Sequence, residues 1–305
     1  VSNAARLSDG CVIIIDAIEG VCVQTQMVLR IAMETKLVPI LYISKIDRLF
    51  TEMMMDPDDA EERLQQLVTE ANALSPELEI PFDPTYGNVV FGSSTEKWGF
   101  TIPQMAERYA EQLQLTVEQA TELFWGTKYL DRKNHRVVTR KPTPNSRTFF
   151  SQILLMPIWK AHQPNADASL IAGKLGVTMD KGTPIDAIAK WIPLTPALLP
   201  TIRNFLKTPL EAQQNYINTI CPSIVEEKYP AIKASVDSVD SKGPLLAFAP
   251  KVVHGEILRF PMNISPFQFV MYTRVYSGTI GIGDTIYFGH ESMEPIEVTV
   301  EGLFI

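Results

Sequence analysis

The segment Ser44-Lys45-Ile46-Asp47 contains residue types that can recognise a purine base. An aspartate carboxylate can accept two hydrogen bonds from guanine, one from its ring N–H and one from its exocyclic amino group. Adenine lacks this pair of donors, so Asp47 would select guanine over adenine. The aliphatic stem of Lys45 can lie over the flat base while its ammonium stays in water. The four residues alone also fit a solvated turn at the end of a strand.

A second loop of small residues, Gly92–Thr95, follows the apolar run Val89–Phe91. Small residues let backbone N–H groups approach a ligand closely, so this loop can hold the carbonyl oxygen of a base. An ordinary turn is the alternative interpretation. The candidate base-binding residues are therefore Ser44, Lys45, Asp47, Ser93, Ser94 and Thr95.

The elements that must position these loops follow an alternating pattern. Short β-branched or apolar runs at Val12–Ile15, Val38–Ile43 and Val89–Phe91 predict buried strands. Helical spacing of apolar residues predicts a helix over 24–36, and Asp56-Pro57 predicts the capped start of another. Strand, helix, strand, helix, strand is typical of a doubly wound α/β sheet, which binds ligands at the carboxyl ends of its strands.

Beyond Thr101 the pattern changes twice. Residues 102–206 predict mainly helices, including one with a Thr116/Gln119 capping box, and a hairpin near 129–139. From Gly243 onward, short strand patterns separated by glycine-containing turns predict the start of a β-barrel or sandwich. Residues 207–242 are the predicted linker.

Composition excludes several classes of protein. With 27 basic and 35 acidic residues, the 305-residue chain carries a formal net charge of −8, so nucleic acid would be contacted only through a local patch. No apolar run is long enough to predict a membrane span. Cys11, Cys22 and Cys221 are too few and too scattered for a disulfide framework, which fits a reducing compartment.

Short segments spread over nearly the whole chain form a collinear set. They are Leu7–Cys11, Asp16–Thr25, Ser44–Arg48, Gly87–Thr101, Leu123–Gly126, Arg147–Phe149, Trp191–Pro193, Gly243–Leu245, Arg274–Val275 and Ser277–Thr279. In this order they resemble eukaryotic and archaeal elongation factor 2, the family of translational GTPases that drives ribosomal translocation. In that family Ser44–Arg48 corresponds to the guanine-specificity motif, and Gly87–Thr101 contains the last guanine loop.

The resemblance implies a P-loop-NTPase-like fold and a layout. Residues 1–101 would form the second half of a GTPase domain, 102–190 an inserted α+β G′ subdomain, and 191–210 the closing segment. A linker over 211–242 would lead to the start of a β-barrel domain II at 243–305. The resemblance also implies GTP or GDP with Mg²⁺, the ribosome (rRNA and ribosomal proteins) as partner, no membrane, a monomer and a cytoplasmic location.

Several family motifs do not occur in this sequence. The phosphate-binding loop G-x-x-x-x-G-K-[ST] and the D-x-P-G-H segment are both missing. We therefore expect a fragment that is inactive as written, with no catalytic residue in this chain and the Mg²⁺ ligands outside it. Ser44 is a further departure, since the family usually has Asn there; we expect weakened but still guanine-selective binding.

A basic cluster over 128–141 has six basic residues and one acid, Asp131. Arg132, Lys133 and Arg136 from this cluster are candidate ribosome contacts, and a solvated hairpin is the alternative. The histidines His135, His162, His254 and His290 are isolated in the sequence, so we expect ordinary surface or core residues.

Three functions remain open at this point. The first is a translocation GTPase of elongation factor 2 type. The second is a relative that acts in large-subunit maturation or in the spliceosome, as a slow switch or scaffold. The third is a non-hydrolysing module that uses only the base loops. The short segment between Asp47 and Gly87, about 40 residues, argues for the first function over the ribosome-assembly relative.

Overall fold

A computed structural model describes residues 2–131, 136–141, 143, 146–213, 229–254, 269–289 and 294–303. The chain forms two compact units. One is Gly10–Leu206, and the other combines Ser2–Asp9 with Lys207–Ile305.

The first unit is built on a four-stranded sheet. Its strands are β1 (Gly10–Asp16), β2 (Val38–Ser44), β3 (Val89–Ser93) and β4 (Trp98–Phe100), in the order β1-β2-β3-β4. The first three are parallel, as the sequence predicts, and β4 is antiparallel to β3. The carboxyl ends of β1, β2 and β3 consequently meet at one edge of the sheet.

Helices cover both faces of this sheet. The main core contains Ile13, Leu41 and Phe91, together with residues of α2 (Val23–Glu34), α3 (Asp47–Thr51) and α4 (Pro57–Ala73). The other face places Tyr42 and Val90 against Ala197 of α10 (Leu194–Phe205). The predicted cap of α4 is confirmed, because the Asp56 carboxylate accepts hydrogen bonds from the N–H groups of Asp58 and Asp59.

The segment between β4 and α10 is mainly helical and shares the main core. A hairpin pairs β5 (Tyr129–Asp131) with β6 (Arg136–Val138), as predicted, and a π-helical turn over Ser151–Leu155 runs into α7 (Met156–Ala161). The elements here are α5 (Ile102–Leu113), α6 (Val117–Leu123), β5 (Tyr129–Asp131), β6 (Arg136–Val138), α7 (Met156–Ala161), α8 (Ala168–Leu175) and α9 (Pro184–Trp191). We call residues 102–190 the insert.

The elements described in the second unit are α1 (Ser2–Ala5), α11 (Pro230–Asp237), β7 (Leu246–His254), β8 (Phe269–Ser277), β9 (Thr285–Phe288) and β10 (Ile296–Thr299). Strand β7 pairs with β8 and β9 pairs with β10, both in antiparallel orientation. Helix α11 lies within the predicted linker. Across the described part of the chain, no helix has both the length and the apolar character needed to cross a bilayer.

Candidate functional site

The two predicted base loops meet at the carboxyl edge of the sheet. Asp47 is the first residue of α3, directly after β2, and Ser93 is the last residue of the neighbouring strand β3. The backbone N–H of Ile46 donates a 3.3 Å hydrogen bond to the carbonyl of Gly92 and so joins the loops. The structure thus brings together the residues that the sequence predicts as one site.

Asp47 is half-buried, and one of its carboxylate oxygens accepts no hydrogen bond from the described residues. Its Oδ1 atom is buried and has no hydrogen-bond partner among the described residues. Burial raises the pKa of Asp47, the neighbouring Ser93 hydroxyl opposes this rise, and the negative charge of Glu96 raises the pKa further. A buried acceptor without a donor is costly, and a carboxylate turned toward a bound base would gain two N–H donors.

Lys45 is held in place by Asp16, at the end of β1. Lys45 has φ +61°, and its Nζ lies 2.7 Å from Oδ2 of Asp16. The other carboxylate oxygen, Oδ1, accepts a 2.9 Å hydrogen bond from the Ile18 N–H. Burial raises the pKa of Asp16, but the hydrogen bonds from Lys45 and the backbone lower it overall. Asp16 therefore caps the next turn and also orients Lys45.

The other predicted residues have different surroundings. Ser44 is buried, and its carbonyl accepts a 2.9 Å hydrogen bond from the Ala17 N–H. Ser94 is exposed, and its Oγ lies 2.9 Å from the Tyr42 hydroxyl. Thr95 is exposed in the same turn. All three lie at the same edge of the sheet as Asp47.

Gly92 has a packing role that the sequence did not indicate. A Cβ atom at this position would lie 2.5 Å from the carbonyl oxygen of Trp98 on β4. The close approach of β3 and β4 therefore requires glycine here, in addition to any ligand that the loop accepts.

Glu96 and His162 also belong to this site, and sequence reasoning missed both. Nε2 of His162 lies 3.0 Å from Oε1 of Glu96, and Trp98 Nε1 donates a 2.7 Å hydrogen bond to Oε2. Glu96 lies in the turn after β3, whereas His162 is at the end of α7 in the insert. The two residues are 66 positions apart, so no local sequence signal links them.

The predicted basic cluster is only partly described. Arg132 and Lys133 lie outside the described residues, and of Arg136, which begins β6, only the backbone is described. The hairpin strands themselves pair as predicted. The ribosome contact stays a prediction.

Comparison with known proteins identifies the class. The family model described as "Elongation factor Tu GTP binding domain" matches residues 1–193. The chain therefore belongs to this family of GTP-binding domains, and the prediction of a GTP-binding class is confirmed.

Two curated relatives share a name. Ribosome assembly protein 1 of Saccharomyces cerevisiae is 30% identical over 302 residues, covering 83% of this chain and 27% of the relative. Ribosome assembly protein 1 of Schizosaccharomyces pombe is 27% identical over 401 residues, covering 100% of this chain and 40% of the relative. The chain spans less than half the length of these relatives.

The relatives favour the ribosome-assembly alternative over translocation. The short segment between Asp47 and Gly87 favours translocation instead. An alignment over 401 residues with a chain of 305 means that the S. pombe protein carries segments lacking here. A missing segment is therefore compatible with similarity to a ribosome assembly protein.

Proposed function

We propose that this chain is the base-reading part of an elongation-factor-2-like GTPase that acts in ribosome assembly. The observation that carries the proposal is the meeting of half-buried Asp47 with the loop that follows β3, joined by the hydrogen bond from the Ile46 N–H to the Gly92 carbonyl. A guanine ring N–H and amino group are the two donors that the Asp47 carboxylate would accept.

Each loop has a distinct part in the proposed recognition. The Asp47 carboxylate accepts from the base, and the stem of Lys45, oriented by Asp16, covers its flat face. Backbone N–H groups of Ser94 and Thr95 would donate to the guanine carbonyl oxygen. Ser44 shapes the floor of the loop from its buried position. The ligand is GDP or GTP, and no residue of this chain is assigned to hydrolysis.

Magnesium has no assigned ligands here. Among the residues that the structure describes, no group of three or more His, Cys, Asp or Glu side chains is arranged to hold a metal ion. In P-loop NTPases Mg²⁺ bridges the nucleotide phosphates, and we propose the same position here.

The cellular role proposed is maturation of the large ribosomal subunit, with a ribosome precursor as partner. The names of both relatives support assembly as the process. Depleting the protein from its native cell should lower the ratio of large to small subunits before elongation slows, as measured by sucrose-gradient profiles and ribosome run-off. Slowed elongation with a normal subunit ratio would instead favour translocation.

Base selectivity is tested with the intact protein and an Asp47→Asn variant. The wild type should bind GDP at least 100-fold more tightly than ADP, because Asp47 pairs only with the guanine edge. Xanthine replaces the amino group of guanine with a carbonyl, so the Asn amide donor should shift preference toward XDP. Asp59→Asn, at an exposed acid of α4, is the matched control and should leave both affinities unchanged. Equal GDP and ADP affinities in the wild type would refute the role of Asp47.

A further inference from the structure

The pair formed by Glu96 and His162 connects the insert to the base loop. The His162 side chain is 4% exposed and that of Glu96 is 18% exposed. The Phe50 ring lies against the imidazole, with 6.0 Å between ring centroids. This is a largely buried ion pair between two parts of one unit.

The hydrogen bonds of His162 define its protonation. Nδ1 lies 2.8 Å from the carbonyl oxygen of Ile158, which can only accept. Nε2 lies 3.0 Å and 3.2 Å from the two oxygens of Glu96, which also accept when ionised. Both ring nitrogens therefore donate, and the ring is an imidazolium when Glu96 is a carboxylate. Burial alone would lower the pKa of His162, but the bonds to Glu96 and Ile158 raise it overall.

The same pair lies beside the proposed guanine acceptor. The charge of Glu96 raises the pKa of Asp47, after the larger effect of burial, whereas the charge of His162 lowers it. Glu96 is also tied to the loop, since its backbone N–H donates a 3.2 Å hydrogen bond to Ser93 Oγ. Any movement of Glu96 would thus reach Ser93, which itself contacts Asp47.

We propose that His162 is a positioning residue of the guanine site. Its imidazolium fixes Glu96, and through it the loop after β3, and compensates the negative charge that Glu96 places near Asp47. The inference rests on the proposed function, because it assumes that guanine binds at Asp47. It assigns to the insert a direct part in nucleotide affinity.

Most other charged groups on the elements packed against His162 are exposed: Lys160 on α7, Lys174 on α8, and Asp186 and Lys190 on α9. Arg48 on α3, whose Phe50 packs on the imidazole, is half-buried and paired with Glu52, and the π-helical turn before α7 carries no charged residue. Glu96 and Asp47 are the charged groups that raise the pKa of His162. The pH dependence of the site is accordingly assigned to these three side chains.

The test measures GDP affinity in the intact protein for His162→Phe, Glu96→Gln and the double variant. His162→Phe leaves the Glu96 carboxylate without its cation, so the GDP dissociation constant should rise about tenfold. The double variant removes the stranded charge as well and should recover most of the loss. Lys160→Gln removes an exposed charge from the same helix and should change nothing.

Two readouts separate this inference from the proposed function. Between pH 6 and 8.5, wild-type GDP affinity should fall as His162 loses its proton, and this fall should be absent in the double variant. NMR titration of the His162 ring, which needs no nucleotide, should give a pKa above the ordinary value of about 6.5, lowered in Glu96→Gln. If His162→Phe does not fold, the pH profile of wild-type GDP affinity and the GDP affinity of the milder His162→Gln variant replace it in the test.

The outcomes are distinct. If the wild type selects GDP over ADP but His162→Phe binds GDP equally well, the positioning role is overturned and the guanine site stands. If the wild type shows no selectivity for GDP, the guanine site fails, and the positioning role falls with it, even where the NMR titration confirms the ion pair.

Discussion

Two polar junctions connect the insert to elements beside the sheet. They differ in the side chains that contact the carboxyl groups. The base-side junction consists of Asp47, Glu96 and His162. The α4 junction consists of Asp58 and Glu61 from α4 with Thr148 and Ser151 from the insert. In the first, a cation faces the carboxylates. In the second, the Arg147 guanidinium lies 3.4 Å from Asp58, whereas buried Glu61 is contacted by the neutral side chains of Thr148 and Gln65.

The consequence at the α4 junction is a titration near neutral pH. Glu61 is 2% exposed, its Oε1 accepts a 2.9 Å hydrogen bond from Gln65, and its Oε2 contacts the Thr148 hydroxyl. Burial raises the pKa of Glu61 to about 7, against the effect of the Thr148 bond. Hydroxyl partners therefore do not keep this carboxyl group ionised.

The comparison teaches what an ionic partner contributes. A carboxylate that must accept hydrogen bonds from a base has to remain ionised, and an imidazolium close by favours that state. A carboxyl group that only joins two helical elements can take up a proton without loss of function. The histidine is found at the junction where ionisation matters.

The largest expected effect comes from breaking the base-side pair. His162→Phe should reduce the free energy of unfolding at pH 6 by about 3–5 kcal/mol, because a mostly buried Glu96 carboxylate loses its charged partner. The raised pKa of His162 means that this stabilisation is full below pH 6.5 and is lost as pH rises through the folded-state value. Urea denaturation of both proteins at pH 6 and pH 9 measures this. A loss that is equal at the two pH values would contradict the ion pair.

The second-largest effect is an increase in the free energy of unfolding, expected when Glu61 is replaced. A carboxyl group with a pKa of 4.5 unfolded and about 7 folded makes the protein less stable as pH rises from 4.5 through 7. Glu61→Gln removes this titration and should raise the free energy of unfolding at pH 8 by up to about 3 kcal/mol relative to the wild type. At pH 4.5 the two proteins should be nearly equal. If the variant keeps the wild-type pH dependence between pH 4.5 and 7, Glu61 is not the titrating group.

The smallest effect is expected at the more exposed pair of Lys45 and Asp16. The Lys45 side chain is 47% exposed, so its 2.7 Å contact with Asp16 is screened by solvent. Lys45→Met retains the aliphatic stem and should cost about 0.5 kcal/mol in the free energy of unfolding, less at 1 M salt. Thermal unfolding at low and high salt would measure this loss of stability. A loss as large as that of His162→Phe would mean that solvent exposure does not determine which ion pair contributes more to stability.

Sequence patterns predicted the parts of the fold that depend on local spacing. The three parallel strands, the Asp56 cap and the capping box at Thr116 all have short-range signals, and the structure confirms them. Strand β4 was missed because Trp98–Phe100 is too short for an alternating pattern and depends on its fit against Gly92.

The candidate site was predictable only in part, for the same reason. Asp47 and Ser93 follow buried strands, so their proximity is a consequence of parallel topology. His162 reaches Glu96 only because α7 packs beside the turn after β3, which no periodicity in either segment encodes. Long-range polar pairs of this kind need the structure.

A crystal structure of the intact protein with GDP would show directly whether Asp47 recognises the base. We predict that the Asp47 carboxylate lies about 2.7–3.2 Å from the ring nitrogen and the amino group of guanine. The loop containing Ser94 and Thr95 should lie at the base carbonyl, with Glu96 still bonded to His162. A base bound away from Asp47, or an Asp47 carboxylate turned into the protein with the base in place, would contradict the account.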